Sequence, residues 1–129
     1  MKYLCLVMVD EEKLEALTAG ESQALDDESL GYDATLRKGG HWLAAQALEP
    51  VSAAKTVRLA NGKPWFTDGP FAETREQVGG FILIEARDWE EASQLAAGIP
   101  AIRFGGIEVR PVKELVASGG PWVKTRQTR

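Results

Sequence analysis

The stretch Tyr3-Leu-Cys-Leu-Val-Met-Val9 carries no charged or amide side chain, and Phe81-Ile-Leu-Ile84 is as apolar. Both runs have the length of a strand, and both are far too short to cross a bilayer or to serve as a signal segment. A strand points successive side chains to opposite faces. One that is apolar at every position must therefore be covered on both sides. The sheet that holds these two runs needs two covering layers, so the number of helices the chain can supply decides whether it folds alone.

Two helices are legible. Thr18 and Glu21 form a capping box, which predicts a helix over 19–38 with Leu25, Ser29, Tyr32 and Leu36 on one stripe and Leu30 beside it. Gly31 weakens this helix and Gly39-Gly40 ends it. Asp88 and Glu91 cap a second helix whose buried stripe is Trp89, Ala92, Leu95, Ala96 and Ile99, closed by Gly98 and Pro100. Strands are expected over 2–9, 41–48, 78–86 and 107–112. In the last, Glu108 and Arg110 alternate with Ile107 and Val109. Segments 55–60 and 63–67 flank Asn61-Gly62, a strong hairpin signal, and Asp68-Gly-Pro-Phe71 is a turn by composition. The order is strand, helix, strand, a hairpin insert, then strand, helix, strand. It predicts an α+β, ferredoxin-like domain built as a split βαβ repeat. Two helices cover only one face of such a sheet. The second layer is expected to be the sheet of another copy, giving a homodimer and a dimeric α/β barrel.

With 129 residues, the chain is long enough for one core without disulfides. Its net charge of −4 speaks against a nucleic-acid partner. One cysteine and one histidine exclude both an intrachain disulfide and a Cys/His zinc site. The expectation is a cytoplasmic protein with no metal, no cofactor and no membrane partner. The charge is uneven: Lys124, Arg126 and Arg129 close the chain, and no acid follows Glu114. This tail is either a frayed terminus or an arm that docks on an acidic surface.

The segment Thr67-Asp-Gly-Pro-Phe-Ala-Glu-Thr-Arg-Glu-Gln-Val-Gly-Gly-Phe-Ile-Leu-Ile-Glu-Ala86 closely resembles the signature of the YCII-related, DGPF-type family. Met1-Lys-Tyr-Leu4 and Ile107-Glu-Val-Arg-Pro-Val112 resemble that family's ends. The resemblance covers about residues 1–115 and leaves 116–129 as a basic C-terminal tail. It implies the dimeric ferredoxin-like barrel already reached by pattern. It also implies two functional readings. One is a small-molecule-binding dimer with cofactor-free acid–base activity. The other is a noncatalytic interaction module that associates with extracytoplasmic-function sigma factors. In YCII-type relatives a His–Asp pair is implicated, with the histidine in the first helix. Here 19–38 holds no histidine, and His41 stands at the mouth of the next strand.

The catalytic candidates are accordingly Asp68 and His41, as acid and base beside the Asp-Gly-Pro-Phe turn. Asp68 reads in two ways: as an acceptor of backbone N–H groups in its turn, or as a base whose pKa is raised by burial against Trp65, Phe66 or Phe71. A histidine such as His41 can serve as acid or base, but the pair matters only if the fold brings the two together. Phe71, Glu73, Trp65, Tyr32 and Arg110 are the candidate ligand-binding residues. Arg110 reads either as a holder of an anionic group or as half of an intersubunit ion pair. Glu73, Arg75 and Glu76 read as rim charges, Trp89 as packing, and Cys5 as an inert core thiol.

Overall fold

A computed structural model describes residues 1–118; the basic tail beyond them, with Trp122 and Val123, lies outside the described residues. Strand β1 (Lys2–Asp10) lies at the centre of a four-stranded antiparallel sheet. The other strands are β2 (Trp42–Ala47), β5 (Glu76–Glu85) and β6 (Gly105–Pro111), in the order β2-β5-β1-β6. This is the strand order of a split βαβ repeat. β1 pairs with β5 through Leu4 opposite Leu83 and Leu6 opposite Phe81, and with β6 through Cys5 opposite Val109.

The two faces of β1 differ. Tyr3, Cys5, Val7 and Val9 are buried with Ile82, Ile84, Leu36, Ala92, Ala96 and Ile99 in one core beneath the helices. Leu4, Leu6 and Met8, with Phe81 and Leu83, lie on the other face and are only half-buried. The helices thus cover one side of an apolar sheet and leave the other side open. No helix among the described residues is long and apolar enough to cross a membrane.

Helix α2 (Ala19–Lys38) has both bonds of the Thr18–Glu21 capping box. Its end is a Schellman closure: the N–H of Gly40 donates to Arg37 O, and that of His41 to Leu36 O. Gly40 takes the left-handed φ of +79° that such a closure requires. Helix α3 (Trp89–Ala97) is capped by Asp88, whose side chain accepts from the Glu91 N–H. Trp89 departs from the expected stripe. At the first helical position its ring stands in solvent while Ala92 and Ala96 are buried. A short helix, α1 (Glu11–Glu15), follows β1 directly and has no counterpart in the sequence reading. Its signals are Asp10 as N-cap and Glu11 and Glu12 in the first turn. Single 3-10 turns occupy Val51–Ala53 and Pro100–Phe104.

Strands β3 (Lys55–Ala60) and β4 (Lys63–Asp68) pair only with each other. Asn61 and Gly62 between them both have positive φ, the signature of a type I′ turn.

Gly105 opens β6 where the backbone of β1 comes closest: a Cβ there would overlap the Met8 carbonyl oxygen, while one on Gly106 would meet nothing. Gly105→Ala is therefore expected to destabilise the fold by about 1–3 kcal/mol or more, and Gly106→Ala to be nearly neutral. Thermal melts of the two variants side by side check this, and equal melting temperatures would contradict it.

Candidate functional site

Only one buried residue, Leu36, anchors the twenty-residue α2 to the core. The rest of its inward stripe is Leu25, Ser29, Tyr32 and Asp33, all half-buried. Side chains this small or polar do not fill the space above the sheet. The result is a cavity of about 560 Å³ between α2, α1, the Pro100–Phe104 turn and strands β1, β2 and β5. Val7, Val9, Ile82 and Ile99 form its apolar floor and wall. Glu11, Glu15, Asp26 and Asp33 contribute carboxylates, and among the described residues no lysine, arginine or histidine lines it. A volume of this order suits a small organic ligand.

Two titratable groups of the lining are shifted by their surroundings. Burial raises the Asp33 carboxyl from its ordinary value, against the opposing pull of the Arg37 charge. Burial also raises the Tyr32 phenol, which stays protonated and donates to Leu95 O at 2.6 Å, tying α2 to α3. Behind Asp33, the Arg37 guanidinium stacks 4.1 Å above the Trp42 ring. Trp42 Nε1 is buried without a partner at hydrogen-bond distance. The Cys5 thiol, fully buried, is pushed up to about 11 by burial and is inert at neutral pH.

A shallower recess lies at the end of β1, lined by Asp10, Pro70, Glu73 and Arg75 among others. Asp10 is 3% exposed. One carboxylate oxygen accepts from the Glu12 N–H at 3.1 Å, the other from Arg75 Nε at 3.0 Å. The Arg75 hydrogen bond holds the Asp10 carboxyl below its ordinary range. Arg75, itself exposed, thereby clamps the loop after Gly69 to the central strand. The other root of that region is tied as well: the Val51 N–H donates to Glu11 Oε2 at 2.9 Å.

Of the residues singled out from the sequence, Tyr32 alone lines the large cavity, and Glu73 lines the recess. His41 and Asp68 are not brought together: His41 stands beside the last residue of β5 in the four-stranded sheet, and Asp68 ends β4 in the separate two-stranded ribbon. The His41 carbonyl accepts from Glu85 at the last residue of β5, and His41 Nδ1 donates to Glu85 O at 2.8 Å. The Asp68 carboxylate is 89% exposed and bonds Lys55 Nζ at 2.8 Å rather than turn N–H groups. Trp65, Phe66 and Phe71 are exposed and do not desolvate it. Arg110, opposite Leu4, pairs with Glu108 on its own strand. The sequence reading missed Asp33, Asp10 and the Asp10–Arg75 clamp. The signal for Asp33 was present: it falls four residues after Ser29 and three before Leu36, on the same stripe.

Comparison with known proteins agrees with this architecture. The model of the YCII-related domain matches residues 1–116. An uncharacterised protein of Rhizobium meliloti is 32% identical over 114 residues, 87% of this chain and 92% of its own length. Among solved structures, a 5-chloro-2-hydroxyhydroquinone dehydrochlorinase from Burkholderia phenoliruptrix, in complex with 2,5-dihydroxybenzoquinone, superposes with a TM-score of 0.51. That match covers 88% of this chain and 94% of the other, at 16% identity, and it speaks to the fold alone.

The lowered pKa of Asp10 has a definite sign in stability. Its contribution is present above the unfolded carboxylate value of about 4 and is lost as pH falls through the lower folded value. Asp10→Asn is expected to be less stable than wild type at pH 7, with the gap closing as pH drops below about 4. Urea melts across pH 2–7 measure the gap, and a gap constant with pH would contradict the assignment.

Proposed function

The chain belongs to the YCII-related domain family, and on that premise we propose that it is a small-molecule-binding dimer whose ligand occupies the cavity under α2, with cofactor-free acid–base chemistry centred on Asp33. The observation that carries this reading is the 560 Å³ cavity with the half-buried Asp33 carboxyl, its pKa raised by burial, in its lining. A carboxylate with a raised pKa is a stronger base than an exposed one at the same pH, and large apolar cavities with a perturbed group are where chemistry is commonly found. Tyr32, held by Leu95 O, fixes the wall beside it. Because the described lining holds four carboxylates and no basic residue, it favours a neutral or cationic ligand over an anionic one. Asp68 and His41, apart and at exposed or strand-end positions, take no part in this version of the chemistry.

The dimer rests on the open sheet face. Leu4, Leu6, Met8, Phe81 and Leu83 form a contiguous apolar surface opposite the helices, and a second copy presenting the same surface covers it isologously. Sedimentation at micromolar concentration is expected to show a dimer, and Leu6→Glu a monomer of unchanged helix content. A monomeric wild type would refute the pairing.

The acid–base site makes a separate prediction. A group with a raised folded pKa gives its full stability below its unfolded value and loses it as pH rises through the folded one. Asp33→Asn is therefore expected to melt higher than wild type at pH 7. It is also expected to abolish the thermal shift given by a screened set of neutral aromatic and primary-amine compounds. A variant that melts no higher, or that responds to the same compounds as wild type, would count against Asp33.

A further inference from the structure

The β3–β4 ribbon is exposed along almost its whole length. Val57 and Phe66, paired across it, share one face with Leu59; the other face carries Arg58 and Trp65, with the Arg58 guanidinium stacked 4.2 Å from the Phe71 ring. A two-stranded ribbon in water is marginal at best by itself, so these apolar faces call for a covering surface. Among the described residues the ribbon's own chain does not supply it: both strands stay largely exposed, and the root is pinned. The Gly69 N–H donates to Ala54 O at 2.8 Å and Thr56 Oγ1 to Gly69 O at 2.9 Å. The two flanking segments are tied down by Glu11 and Asp10.

Charge points to the occupant. Residues 55–68 hold Lys55, Arg58 and Lys63 against the single acid Asp68, whereas residues 11–33 hold eight acids and one base. The basic ribbon and the acidic α1–α2 surface belong to the same chain, yet among the described residues no ion pair joins them within one copy. We propose that the ribbon is an intersubunit arm. It lays its apolar face over the rim of the second copy's cavity, where Leu30 is exposed, and its basic edge against the second copy's α1–α2 surface. Each cavity is then closed by the other copy. This inference rests on the pairing of copies proposed above.

The experiment mixes isotopically light and heavy full-length protein, allows exchange, and links amines to carboxylates with a zero-length carbodiimide. The expected product joins Lys63 of one isotope to an acid within residues 11–33 of the other. In parallel, Val57→Ser combined with Arg58→Glu, both on exposed side chains, is expected to weaken dimerisation by about tenfold or more by sedimentation. Its circular dichroism should match wild type. If wild type is monomeric, the pairing and the arm both fall. If wild type is dimeric but the double variant associates with unchanged affinity, the arm alone falls. Links from Lys63 confined to single-isotope products, or reaching only carboxylates outside 11–33, likewise overturn the arm.

Discussion

Everything in this fold hangs on β1 being apolar on both faces at the centre of the sheet. It hydrogen-bonds β5 on one edge and β6 on the other, so neither edge is free. Its odd-numbered residues from Tyr3 to Val9 hold the helices. Its even-numbered residues, Leu4 to Met8, are only half-buried among the described residues. At about 25 cal/mol per Å² of buried apolar surface, leaving such a face wet forgoes a large fraction of a small domain's net stability. That constraint makes a second covering layer a thermodynamic requirement. The Asp10 carboxylate at the end of the strand then fixes where the motif loop sits, through Arg75.

The layer that does cover β1 is deliberately incomplete. α3 packs through Ala92 and Ala96, small side chains that bring it close. α2 touches the core firmly only at Leu36, and toward its other end the stripe turns to Ser29, Tyr32 and Asp33. A helix with leucines at those positions would fill the space and stabilise the domain by burying more area. The chain instead keeps a partly desolvated acid there, which costs stability at neutral pH. Local sacrifices of this kind are what functional cavities commonly require.

The parts of the structure set by local rules were legible from residues alone. The Thr18–Glu21 box, the Gly39–Gly40 stop, the Asp88 cap and the Asn61-Gly62 turn each act over three or four neighbours, and each appears where the spacing placed it. α1 was passed over because five residues are too few for a periodic pattern to stand out, though Asp10 with two following glutamates was a cap in plain view. Trp89 was misplaced because its stripe position says nothing about how far the helix overhangs the core. The site suffered more. Asp68 attracted attention through its motif, yet the side chain that senses a low-dielectric surrounding is Asp33, on a stripe read only for its apolar members. Whether His41 and Asp68 meet depends on which strands share a sheet, and that is a matter of topology across the whole chain.

The placement of β1 also governs how the chain comes into being. Tyr3 pairs with Pro111, and Lys2 with Glu85. The central strand is made before its partners, and must wait for β5 before one edge is satisfied and for β6 before the other is. At about 5–20 residues per second of synthesis, that wait is several seconds. During it, an apolar segment with two free hydrogen-bonding edges is tethered at the ribosome, with only α1, α2, β2 and the β3–β4 ribbon available to shield it. High contact order of this sort slows closure of the sheet. The nascent form, more than the finished domain, is where this molecule is exposed to mispairing and where a chaperone has the most to protect.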